Sequence, residues 1–154
     1  MNVTRLKWTI PSIILLALFQ VFATDATAAE YTLVGDSLPQ EGVPEGSVEE
    51  RTFDTSLIYP GVTTEYSVYV PAQYDATKPA CVMVFQDGSA YASKEGSVRA
   101  PIVFDNLIHK GEMPVTIGIF INPGKKEFAY DQREIQYVTI DDTYSRFLLE
   151  EILP

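Results

Sequence analysis

The 154-residue sequence has one cysteine, one histidine and eleven basic residues against twenty-one acidic ones, and each scarcity excludes something. A lone Cys81 cannot close an internal disulfide. It sits in the middle of an apolar run, where a buried small hydrophobe is expected rather than a reactive thiol. One histidine and one cysteine make no ligand cluster with zinc spacing, so neither metal nor other cofactor is expected. A net charge of −10 repels phosphate backbones and anionic membranes, which argues against nucleic acid as a partner. No repeat of 20–50 residues is detectable, and no apolar run reaches the ~20 residues that span a bilayer.

What is present begins with a leader. Arg5 and Lys7 form a positive start, Trp8 to Phe22 form an apolar segment broken only by Thr9, Pro11, Ser12 and Gln20, and Ala26-Thr27-Ala28 follows. That order predicts a signal peptide over residues 1–28, cleaved after Ala28, and a secreted or periplasmic product without a stable membrane anchor. The segment is too short for an uncleaved anchor, and no cysteine lies at its end to carry a lipid. Residues 29–47 hold three glycines and two prolines among several acids, which reads as an exposed linker. One domain is expected over residues 48–154.

Within that domain, Val48–Tyr59 and Thr63–Val70 read as strands joined through Pro60-Gly61, an antiparallel pair. Pro71–Pro79 is a loop. Ala80–Gln86 is a short apolar strand closed by Asp87-Gly88. Ala100, Val103, Phe104, Leu107 and Ile108 make one helical stripe, with Pro101 in its first turn and Gly111 past its end. Val115–Ile121 is a second continuous apolar run, closed by Asn122-Pro123-Gly124. Strand, helix and strand with fully apolar strands predict a parallel β-α-β unit in a sheet covered on both faces. Lys125–Tyr137 reads as an irregular polar loop. Tyr144, Phe147, Leu148 and Ile152 mark a last helix opening near Asp141-Asp142, and a third parallel strand is the expected continuation.

Pro71 with Ala72-Gln73-Tyr74, the run Val82 to Gly88, Leu107-Ile108 and Pro114 through Gly124 together resemble the esterase family of α/β-hydrolases. That family includes ferric enterobactin (enterochelin) esterases and related secreted carbohydrate acyl esterases. Tyr144–Pro154 is similar to the helix that precedes the nucleophile strand there. The resemblance covers residues 46–154. It implies the N-terminal part of an α/β-hydrolase with an incomplete sheet, and a substrate that is a siderophore or carbohydrate acyl ester.

Such an enzyme needs a Ser-His-acid triad with its serine on a Gly-x-Ser-x-Gly turn between strand and helix. The one Gly-x-Ser here is Gly35-Asp36-Ser37, followed by Leu38-Pro39 in the linker with no strand before it. No catalytic residue is therefore expected in this chain, and the fragment is expected to be inactive alone. His109 reads as a surface histidine near the negative end of its helix. The resemblance implies that Gly88 and Ser89 lie in the loop donating half of an oxyanion hole, with a backbone N–H near Ser89 facing the developing charge. Gln86-Asp87-Gly88 read alone is also simply a β-turn. Gly88 allows close backbone approach to a substrate, and Asp87 is expected to brace the turn through its own backbone. Tyr91 lines an acyl or sugar pocket or packs within the loop.

Arg133 and Tyr137 match a stretch that supports the active-site wall in the family. Gln136 and Val138 stand where acids are usual, which takes away the expected charge partners of Arg133. The resemblance also places the strand at 80–86 beside a nucleophile strand not contained here, leaving an apolar edge that favours aggregation. A different reading is a secreted non-catalytic binding domain on the same scaffold, and a weaker one is a small β-rich interaction module.

Overall fold

The computed structural model describes residues 32–127 and 132–154. The leader expected over 1–28 lies outside the described residues. Four strands form one sheet: β1 (Ser47–Phe53), β2 (Thr64–Val70), β3 (Cys81–Gln86) and β4 (Thr116–Ile121). Their spatial order is β1-β2-β4-β3. β1 runs antiparallel to β2 and β2 to β4, whereas β3 and β4 are parallel, Val82 beside Ile117 and Phe85 beside Phe120. Between the parallel strands lie α1 (Gly88–Ala92) and α2 (Ala100–Lys110); α3 (Gln132–Val138) and α4 (Thr143–Arg146) follow, and α4 runs on in wider π-type turns through Phe147–Ile152.

The sheet is packed on both faces at β4 and at the Val84-Phe85 end of β3. On one face Tyr69, Phe120 and Phe85 meet Ala100, Phe104 and Ile108 of α2, with Phe85 stacked on Phe120 at 5.0 Å between ring centroids. On the other, Ile119, Ile121, Val68 and Val84 meet Tyr144, Phe147, Leu148 and Ile152. The expected last stripe packs in full, and of the expected α2 stripe Ala100, Phe104 and Ile108 pack while Val103 and Leu107 stay partly exposed. α2 carries Pro101 in its first turn and stops at Gly111, whose φ of 73° is the left-handed conformation that glycine adopts without a Cβ penalty.

The structure corrects three expectations. β1 ends at Phe53 rather than Tyr59. The next backbone donors leave the ladder for a carboxylate: Leu57 and Ile58 N–H donate to Glu151 Oε1 at 2.8 and 3.1 Å. The supposed loop over 125–137 contains α3, whose inward residues are the polar Gln132 and Gln136. Gln136 Oε1 accepts the buried Gly124 N–H at 2.9 Å, so a helix without an apolar stripe is still anchored. Cys81 is exposed, not buried. β3 is the last strand of the sheet, and nothing among the described residues covers its outer side: Val82 is 52% and Met83 42% exposed. That unpaired apolar edge is the one the sequence anticipates.

Candidate active site

The chemistry-bearing residues gather where β3 and β4 end on the same side, the usual place for ligands in parallel sheets. β3 runs into Asp87, which has φ 54° and ψ 41°. A non-glycine residue in this conformation costs about 1–2 kcal/mol and persists only when its surroundings hold it. Here α3 holds it twice. Arg133 grips its carboxylate in a fork, Nε to Oδ1 at 3.0 Å and Nη2 to Oδ2 at 2.8 Å. Tyr137, one helical turn on, accepts the Asp87 N–H at 3.4 Å and donates to Ile121 O at 3.4 Å. The Arg133 guanidinium also lies 5.6 Å from the Tyr137 ring centroid. Arg133 thus finds its acid 46 residues back in sequence rather than on its own helix, and Asp87 braces the turn through that side-chain pair. This corrects the expectation for Arg133, and adds a side-chain brace to the backbone one at Asp87, whose carbonyl oxygen accepts the Ala90 N–H at 3.2 Å.

The Arg133 hydrogen bond holds the Asp87 carboxyl below the ordinary carboxylate range, against a smaller desolvation effect. Burial raises the Tyr137 phenol. Because the Asp87 pKa is lowered, the pair contributes above the ordinary carboxylate pKa and is lost as pH falls through the depressed value. Both partners are about half-exposed. Arg133→Ala is therefore expected to lower the melting temperature by only about 3 °C or less, while hydrogen exchange at residues 87–89 accelerates. A large drop in melting temperature with unchanged exchange contradicts the clamp.

Gly88 follows, and what it approaches closely is the backbone of β4. Its φ is not positive; the left-handed residue is Asp87. A Cβ at 88 would lie 2.1 Å from Phe120 C and 2.3 Å from Ile121 N, so the glycine exists to seat the turn directly on the β4 backbone. Ser89 comes next, and its N–H donates to Asn122 Oδ1 at 3.0 Å. Asn122 is itself fixed through its N–H to Glu65 O at 3.1 Å.

Two depressions border the turn. One, of about 420 Å³, is lined by Val84, Phe85, Gln86, Asp87, Tyr91 and Leu148, with Tyr91 and Phe85 rings 5.2 Å apart. The other, of about 500 Å³, is more polar, with Glu50, Thr52, Glu65, Ser67, Ser89 and Asn122 among its lining residues. The structure therefore brings Asp87, Gly88, Ser89, Arg133 and Tyr137 together, with Tyr91 on the adjoining wall. Asn122 was missed as a site residue. Its signal was available: a polar side chain immediately after a buried parallel strand. His109 is exposed at the end of α2, and Gly35–Ser37 is a single 3-10 turn that no strand precedes among the described residues. Among the described residues no three or more His, Cys, Asp or Glu side chains are grouped so as to hold a metal ion, and no helix is long and apolar enough to cross a membrane.

No protein-family model and no curated protein matches the chain. Solved structures do. The chain is similar to a CE1 ferulic acid esterase, AmCE1/Fae1A, from the anaerobic fungus Anaeromyces mucronatus. With ferulic acid bound, the TM-score is 0.56 at 17% identity, covering 80% of this chain and 48% of the esterase. Without substrate the values are 0.58, 19%, 80% and 47%. The chain thus spans about half the length of the structures it matches. At such identity the likeness speaks to architecture: a mixed four-stranded sheet flanked by helices, an incomplete α/β fold of the α/β-hydrolase kind.

Proposed function

We propose that this chain is the oxyanion-side portion of a secreted serine esterase that hydrolyses carboxylic esters of small molecules or carbohydrates. One observation carries the reading. β3 and β4 lie side by side and parallel, and the strained turn Asp87-Gly88-Ser89 at the end of β3 is pressed onto the end of β4. In acyl transfer the carbonyl oxygen gains charge when a serine attacks, and one stabilising N–H comes from the loop after the third strand. Ser89 supplies that donor in this reading, and such a donor is worth about 3 kcal/mol of transition-state stabilisation.

The attacking serine, its histidine and its acid belong to sequence outside these 154 residues, in which no Gly-x-Ser-x-Gly occurs. The open outer edge of β3 is where the strand carrying that serine pairs. Acyl transfer by such a triad uses no cofactor. Phe85, Tyr91 and Leu148 form an apolar wall suited to an acyl group, and Glu50, Thr52 and Ser67 a polar surface suited to a hydroxylated alcohol portion. A carbohydrate acyl ester meets both walls; a siderophore ester is the other member of the proposed class. A leader over 1–28 directs the product out of the cytoplasm. Its removal takes Arg5, Lys7 and Asp25 away and leaves a net charge of −11, which favours a soluble, neutral-substrate enzyme over a polyanion binder.

The test is turnover. The 154-residue chain is expected to hydrolyse p-nitrophenyl acetate no faster than a heat-killed control. The polypeptide read from the whole gene, carrying Gly-x-Ser-x-Gly, is expected to hydrolyse it and to lose activity to a serine-directed phosphonate. Phosphonate-sensitive turnover by the 154-residue chain contradicts the assignment, as does a whole-gene product without a nucleophile.

A further inference from the structure

The N–H that the esterase reading needs is already occupied. Ser89 lies in the first turn of α1, where a backbone N–H has no acceptor within its own helix, and Asn122 Oδ1 fills that role at 3.0 Å. Only the amide oxygen can face a donor, so the orientation of this side chain is fixed by chemistry. The Asn122 backbone is tied to β2 through Glu65 O. Its side chain, by contrast, borders the polar depression of about 500 Å³ beside Ser89, which gives it somewhere to go.

We propose that Asn122 is a gate on the oxyanion donor: its amide oxygen holds the position an ester carbonyl oxygen takes, and it swings into the polar depression when substrate enters. The inference rests on the esterase reading of this turn. The Ser89–Asn122 bond is exposed, so water as well as a ligand competes for the donor, and the resident oxygen keeps the turn in its donating conformation while the pocket is empty. Substrate then exchanges one acceptor for another instead of organising the loop from scratch, and only a ligand oxygen able to displace an amide gains access. Asn122 is thus a positioning and selectivity residue that acts through Ser89.

Hydrogen-exchange mass spectrometry resolving the Ser89 amide, on the full chain with sodium ferulate as the probe, tests the gate. Ferulate offers a carboxylate oxygen for the N–H and an aromatic ring for the Phe85–Tyr91 wall. In the wild type, Ser89 is expected to exchange slowly. In Asn122→Ala it is expected to exchange about tenfold faster, the range that loss of one ordinary hydrogen bond allows, and ferulate is expected to restore the protection. Asn122→Asp keeps an acceptor oxygen and adds a charge, so Ser89 stays slow in that variant with or without ferulate. The ferulate rescue in Asn122→Ala is the arm that a merely structural asparagine does not produce. Equal Ser89 exchange in wild type and Asn122→Ala overturns the proposal, and so does an Asn122→Ala amide that ferulate fails to protect. If Asn122→Ala does not fold, fast Ser89 exchange in Asn122→Asp overturns it instead. The exchange pattern without turnover by the whole-gene product removes the esterase reading and spares the gate; turnover without the pattern does the reverse.

Discussion

Gly88→Ala is expected to cost at least ~3 kcal/mol of stability, the range of severe overpacking. The added carbon would meet Phe120 C at 2.1 Å, Ile121 N at 2.3 Å and Phe120 O at 2.5 Å. All three are backbone atoms, so no rotamer change relieves the collision. Nor can β4 retreat, because it is hydrogen-bonded to β2 on one side and β3 on the other. Relief requires α1 to lift off the sheet, which carries Asp87 and Ser89 away from Arg133 and Asn122. Ser89→Ala is the matched control: that side chain is exposed, and the change should stay within about 0.5 kcal/mol. Urea unfolding followed by far-UV circular dichroism measures both, since the one tryptophan, Trp8, precedes the domain. A Gly88→Ala midpoint equal to the wild type contradicts the seating of the turn on β4.

Asp105→Ala is expected to cost about 3–4 kcal/mol, because it strands two buried donors at once. Asp105 Oδ1 accepts the Tyr69 hydroxyl at 2.7 Å and the Gly46 N–H at 2.8 Å. Tyr69 is fully buried at the centre of the sheet, its ring edge-on to Phe104. The bond ties α2 to β2 and to the segment entering β1. Asp105→Asn keeps an acceptor and loses only the charge, so about 1–2 kcal/mol is expected. Burial, and then the Asp105 carboxylate, raise the Tyr69 pKa well above the ordinary phenol value. A raised phenol binds its proton more tightly in the folded state, so its contribution is complete below pH ~10 and is lost as pH climbs from there toward the folded-state value. Thermal melts across about pH 8 to 12 should show melting temperature falling steeply on the alkaline side. A flat profile, or an Asp105→Ala variant as stable as wild type, contradicts this reading of the core.

Patterns carried by apolar side chains were legible in the sequence. Ile117–Ile121 are apolar because both faces of the sheet are covered there, whereas in Val82–Phe85 only Val84 and Phe85 are partly covered; the two strands pair in parallel as expected. The α2 stripe and its Pro101 and Gly111 ends were equally plain. Polar anchoring was not legible. α3 buries Gln132 and Gln136, which leaves no hydrophobic period to read, and its purpose emerges only when Gln136 meets Gly124 and Arg133 meets Asp87. Cys81 looked buried because its neighbours are apolar; its exposure depends on the strand order, which local composition does not encode. In the candidate site, Gly88 was identifiable as a constrained glycine but not which backbone constrained it. Asn122 was visible as the residue closing β4, and its bond to Ser89 could be learned only from the fold.

On the proposed esterase reading, the Ser89 N–H serves a developing oxyanion. The most direct test is the structure of the whole-gene polypeptide after reaction with a serine-directed phosphonate. A phosphonyl oxygen is expected within about 3 Å of Ser89 N, with Asn122 withdrawn toward Glu65 and Ser67. A phosphonyl oxygen held by other donors, with Ser89 still bonded to Asn122, would contradict it.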